Sequence, residues 1–146
     1  MPRLSWSAMA GPPYTGHCMC GGVRFEVTAE PEGAGYCHCT RCQRRTGTAA
    51  SAQARLGPGA LRILAGEELV RDYEPGDGWI KSFCSACGSA LWSKNPETRE
   101  VGSIRLGILD PGHGIRPQWR TFVDYTCEWE PLPDDGLERY PEGKPR

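Results

Sequence analysis

No stretch of the chain approaches the roughly 20 consecutive apolar residues that a membrane-spanning helix needs. Neither sign of charge dominates: 17 Lys and Arg face 18 Asp and Glu, a net charge of −1 over 146 residues. The electrostatic footprint expected of a protein that binds nucleic acid or an anionic membrane is therefore missing. The opening residues carry one early cation, Arg3, but no continuous apolar core, because Ser5, Ser7, Gly11, Pro12 and Pro13 interrupt it. Residues 1–16 read as a flexible N-terminal arm rather than a signal peptide, and the chain is expected to be cytoplasmic. There is no internal repeat and no linker that would divide two domains. The acidic residues form no obvious catalytic pair, since Glu67-Glu68 and Asp134-Asp135 read as turn or tail charges. Residues 132–146, rich in Pro, Gly and charge, read as a C-terminal tail with little core contact.

What the chain does have is glycine, proline and cysteine. Nineteen Gly and thirteen Pro make up about a fifth of it, high for a helical protein and suited to short strands joined by turns. Val23, Phe25 and Val27 alternate with polar residues, as in a half-buried strand. Further strands are expected over 48–54, 61–64, 69–74, 79–83, 90–93, 103–109 and 120–125, separated by turn signals such as Gly57-Pro58-Gly59 and Pro75-Gly76-Asp77-Gly78. The residues from Arg44 to Gln53 are ambiguous; they lack the length and caps for a helix and read as a strand. The fold class is mainly β.

Seven of the eight cysteines fall in three short clusters: Cys18 and Cys20; Cys37, Cys39 and Cys42; Cys84 and Cys87. Without export, thiols stay reduced and tend to bind metal or do chemistry. A disulfide framework is the competing reading, but the closest pairs would strain and a chain of this length needs no staples. Four cysteines close one tetrahedral zinc site, and three are left to hold a second zinc with one position open. Spacing allows Cys18, Cys20, Cys84 and Cys87 to form the closed site, which pins two distant segments together. It also allows a ribbon that joins Cys37 and Cys39, or Cys39 and Cys42, to Cys84 and Cys87. In an extended backbone Cys37 and Cys39 face the same side, and Thr40-Arg41 supplies the turn that brings Cys42 round. Three thiolates leave a dication with a formal charge of −1, a poor activator of water that suits a soft ligand such as a thiolate. Cys127, His17, His38 and His113 are the candidates to close this site. Otherwise Cys127 reads as a small buried hydrophobe, and His38, between two ligands, points away from them. Arg41, Arg44 and Arg45 surround the cluster in sequence, either as solvated loop charges or as a clamp for an anionic substrate.

Three segments carry a resemblance: Cys18-Met19-Cys20-Gly21-Gly22-Val23, then Cys37-His38-Cys39-Thr40-Arg41-Cys42-Gln43 with Gly47, and Phe83-Cys84-Ser85-Ala86-Cys87-Gly88-Ser89. With them the chain resembles the glutathione-dependent formaldehyde-activating enzymes, also called the centromere-protein-V domain family, over residues 17 to about 140. The resemblance implies an Mss4-like, zinc-stabilised β-sheet fold over residues 17–131 and two zinc ions per chain. It implies that Cys18, Cys20, Cys84 and Cys87 hold a structural zinc and that Cys37, Cys39 and Cys42 hold the second. It further implies a carbon–sulfur lyase-type enzyme that joins a thiol such as glutathione to a small aldehyde. Where members of that family often carry His near the last strand, this chain has Arg120. The alternatives are a non-enzymatic zinc-binding module that presents a surface to another protein and, more weakly, a nucleic-acid zinc ribbon, against which the balanced charge argues.

Overall fold

The computed structural model describes residues 11–146; the first ten residues of the expected N-terminal arm lie outside the described residues. Eleven strands and one short helix follow in chain order: β1 (Tyr14–His17), β2 (Arg24–Val27), β3 (Ala34–Cys37), α1 (Thr40–Thr46), β4 (Ser51–Arg55), β5 (Leu61–Ala65), β6 (Val70–Tyr73), β7 (Ile80–Cys84), β8 (Ala90–Lys94), β9 (Val101–Arg105), β10 (Trp119–Thr121) and β11 (Glu138–Arg139). They form a three-stranded sheet, β1-β2-β5, and an eight-stranded sheet, β11-β10-β3-β4-β9-β8-β7-β6. The fold is mainly β, as the alternation and turn density imply.

Two-residue periodicity explains how the large sheet serves both core and site. Ala54 pairs with Ile104 and Ile104 with Trp92, and all three are buried in the core between the sheets. Their neighbours Gln53, Arg55, Ser103, Arg105 and Ser93 occupy the next positions of the same strands, on the opposite face, where Lys81 of β7 pairs with Ser93. From the small sheet Phe25 meets Trp92 edge-on, with ring centroids 5.8 Å apart. The sequence pattern therefore reads as one apolar face and one polar, cationic face of a single sheet.

Four local differences from the sequence reading each have a physical reason. Residues 40–46, not expected to be helical, form α1. The Cys39 side chain accepts from the Cys42 N–H at its start, and Gly47, at φ +69°, donates its N–H to the Gln43 carbonyl at its end. A cysteine is not among the usual N-caps, and so the cap was hidden. The strand expected over 103–109 stops at Arg105 and becomes a 3₁₀ turn, because the chain leaves the sheet to meet β1, where the Asp110 N–H donates to the Thr15 carbonyl. The strand expected over 120–125 ends at Thr121, where Phe122 takes a left-handed conformation at φ +56°. Finally, both chain ends join the sheets. Residues 14–16 of the expected arm pair with β2. The expected tail supplies β11, which runs parallel to β10, because the tail's backbone groups satisfy the donors that β10 and the turn after it would otherwise leave free.

The β6–β7–β8 edge is braced by Asp72, which accepts from the Ser82 hydroxyl at 2.6 Å and from the Lys94 ammonium at 2.9 Å. Burial pushes its carboxyl up, but Ser82, Lys94 and Arg99 outweigh that and hold it below its usual value. The stability this contributes is present above the unfolded carboxylate range and is lost as pH falls through the lower folded value. Asp72→Asn is expected to cost about 1 kcal/mol at pH 7 in urea unfolding, with the gap to wild type closing as pH falls below the ordinary carboxylate range. Trp92→Ala, which empties the centre of the core, is expected to cost about 3–5 kcal/mol in the same assay.

Candidate functional site

Two cysteine groups assemble. In the first, the Sγ atoms of Cys18, Cys20, Cys84 and Cys87 all lie within 4.8 Å of one another. Cys18 and Cys20 come from the turn between β1 and β2. Cys84 ends β7 and Cys87 belongs to the turn before β8, so the group joins the small sheet to the large one. Gly21 (φ +76°) and Gly88 (φ +80°) take the left-handed conformations that the two turns need. The sulfurs are met by backbone donors: the Val23 N–H reaches Cys18 Sγ at 3.3 Å and the Gly22 N–H reaches Cys20 Sγ at 3.4 Å. Such contacts favour the thiolate.

The second group is Cys37, Cys39 and Cys42, again within 4.8 Å. Cys37 closes β3, Cys39 caps α1 and Cys42 lies in the first turn of that helix. Cys42 is thus brought round by a helical turn, not by the simple Thr40-Arg41 turn expected. The alternative ribbon pairing of these cysteines with Cys84 and Cys87 is not the one the structure forms. Among the described residues no His, Asp, Glu or further Cys joins the three. His17 instead sits 3.8 Å from Asp110, His113 accepts the Ile115 N–H, and Cys127 is partly buried outside both groups. His38 is buried and turned away, with Nε2 3.1 Å from Arg120 Nη1.

Both groups fit a metal ion. Tetrahedral zinc–thiolate bonds of about 2.3 Å place neighbouring sulfurs about 3.8 Å apart, and the first group already shows 3.5 Å and 3.9 Å between sulfurs. An all-thiolate donor set is soft, which suits zinc. In the second group the Cys42 thiol is held well below its ordinary value by hydrogen bonds from Cys37 and Cys39, which overcome burial, while Cys37 is pushed well above its own.

The second group opens into a cavity of about 910 Å³. Arg41, Arg44 and Arg45 of α1 all line it, but not equally. Arg41 is committed to Asp77 at 2.6 Å across the cavity mouth. Arg45 donates to the Ser51 hydroxyl, while its Nε and Nη1 are buried without a partner. Four more lining cations went unnoticed in the sequence: Arg55, Lys81, Lys144 and Arg146. Against these seven charges the lining has one carboxylate, Asp77. Burial lowers Lys81 to about 8, partly offset by the nearby Cys42. Under the lining, Arg105 is buried among neutral partners only, Gln53, Ser93 and Ser103, and burial lowers it to about 9. The sequence signal for Arg55 and Lys81 was a charge in a strand position next to a core residue; Lys144 and Arg146 had none. No helix among the described residues is long and apolar enough to cross a membrane.

Residues 13–125 match the model of the family described as "Glutathione-dependent formaldehyde-activating enzyme". A Halomonas elongata protein named "Putative glutathione-dependent formaldehyde-activating enzyme" is 32% identical over 95 residues. That alignment spans 59% of this chain and 59% of the relative, so less than two thirds of the relative is represented. A crystal structure of a Rhodobacter sphaeroides protein superposes with a TM-score of 0.53 at 27% identity, covering 86% of this chain and 98% of that one.

The two groups predict separable losses. Cys84→Ser is expected to remove the clip between the sheets and lower thermal stability severely. Cys42→Ala is expected to cost one metal ion per chain while the fold persists. Native mass spectrometry and a thermal melt distinguish the two variants.

Proposed function

The chain belongs to the glutathione-dependent formaldehyde-activating enzyme family, and on that footing we propose that it is a zinc-dependent carbon–sulfur lyase-type enzyme acting on adducts of a glutathione-like thiol with a small aldehyde. The observation that carries the reading is a three-thiol group at the wall of a cavity with seven cations and one carboxylate. Cys18, Cys20, Cys84 and Cys87 hold a structural zinc in this reading, and Cys37, Cys39 and Cys42 hold the second. Zinc at the second group supplies a Lewis acid with one exchangeable position, which stabilises an incoming thiol as its thiolate.

The chain's own residues do the rest. Arg44 and Arg45 attract the carboxylates of the thiol, with Arg41 holding the mouth through Asp77. In the forming direction the sulfur lone pair makes the C–S bond to the carbonyl carbon. The C=O pair moves onto oxygen, and a proton is delivered there to give the hydroxymethyl thioether. The reverse sequence releases the aldehyde. Lys81 Nζ, buried in the cavity with its value lowered to about 8, holds a proton that can be given to that oxygen and retaken near neutral pH. The large sheet and α1 wall the cavity beside the sulfur.

Cobalt-loaded protein reports the second centre directly through its visible absorption. Glutathione is expected to shift those bands in wild type and not in Cys42→Ala; unchanged bands and unchanged stability at saturating glutathione would overturn the reading and favour a non-enzymatic binding module. Lys81→Met is expected to lower turnover about 100-fold with little change in glutathione affinity, measured by steady-state kinetics and calorimetry.

A further inference from the structure

The family match ends at residue 125, yet one wall of the cavity is built by residues beyond it: Gly143, Lys144 and Arg146. The backbone of this segment is tied down at several points. β11 pairs with β10, and the N–H groups of Phe122 and Val123 donate to the carbonyls of Glu142 and Tyr140 at 2.9 and 3.1 Å. The Arg55 guanidinium donates to the carbonyls of Lys144 (2.5 Å) and Pro145 (3.1 Å). Arg146 donates to the Gly102 carbonyl at 2.5 Å and lies over Trp79. These contacts fix the main chain and leave one charge without an anionic partner among the described residues. Lys144 Nζ stands 5.3 Å from the ring centroids of Trp119 and of Tyr140, and no carboxylate among the described residues comes within ion-pair distance of it.

Three cations therefore crowd this wall, and among the described residues the one carboxylate at ion-pair distance from any of them is Glu32, 3.7 Å from Arg146 and largely exposed. Burial and the neighbouring Arg146 both push the Arg55 guanidinium below its ordinary value, the mark of a cluster short of negative charge. The cavity is also larger than a short neutral thiol and a one-carbon aldehyde require, at the upper end of small-molecule sites. We propose that residues 138–146 form a specificity wall on which Lys144, backed by Arg55 and Arg146, holds a carboxylate of the substrate remote from its sulfur. The class selected is a thiol carrying such a carboxylate, in preference to small neutral thiols. The proposal rests on the reading of the cavity as a thiol site.

Calorimetry on the zinc-loaded full chain tests it with three probes: glutathione, its diethyl ester (carboxylates blocked, thiol free) and S-methylglutathione (carboxylates free, sulfur capped). Lys144→Gln is expected to weaken glutathione and S-methylglutathione about 10-fold and to leave the diethyl ester unchanged. Lys144→Arg restores most of the affinity, and an unchanged melting temperature shows that the fold is intact. Equal weakening of all three probes by Lys144→Gln, or of none, overturns the wall. Glutathione binding that depends on Cys42 but not on Lys144 removes the wall and keeps the thiol reading. S-methylglutathione that binds as tightly as glutathione and depends on Lys144 keeps the wall and removes thiol ligation. No binding of any probe to wild type overturns both.

Discussion

Four cysteine sulfurs from two different sheets lie within 4.8 Å of one another, and the layered arrangement depends on that convergence. Thiolates at this spacing repel by roughly 1 to 4 kcal/mol per pair, depending on local dielectric. A bound dication reverses the sign, and zinc sites of this kind contribute on the order of 10 kcal/mol to folding. The clip lies between the turn after β1 and the end of β7. A metal held there would tie the small sheet to the large one, on which Phe25 packs against Trp92.

The opposite face of the large sheet obeys a different constraint. Because strand residues alternate, the neighbours of Ala54, Ile80 and Ile104 face away from the core, and Gln53, Arg55, Lys81, Ser103 and Arg105 among them are polar or cationic. Arg105 is the extreme case, a buried guanidinium held by an amide and two hydroxyls. A buried cation without a carboxylate is costly, and so the region as a whole favours anions: the thiolates of the second group and the acidic groups of a ligand. A chain with a net charge of −1 thus builds a strongly positive cavity. Distribution, not total charge, determines what enters it.

Much of this was legible from spacing. Cys-x-Cys and Cys-x-x-Cys place thiols at chelating distance, and the seven clustered cysteines marked both groups. Most strands were visible in their alternation and turn residues. The helix α1 was not, because a cysteine side chain rather than a standard cap begins it and because it is only seven residues long. β1 and β11 were hidden too. They are only four and two residues long and lie in Gly- and Pro-rich ends, so they become strands through the partners they find.

The sequence by itself determined the local chemistry: which thiols are close enough to chelate, which residues alternate, and where the chain turns. Each of these depends on a few neighbouring residues. Tertiary structure decided which clusters meet, which cations share a cavity and what the last residues do. Cys18 meets Cys84, and Arg45 shares a cavity with Lys81 and Arg146, through contacts between segments separated by many residues. Such contacts are chosen by the burial of the whole core, and a local pattern carries no record of them.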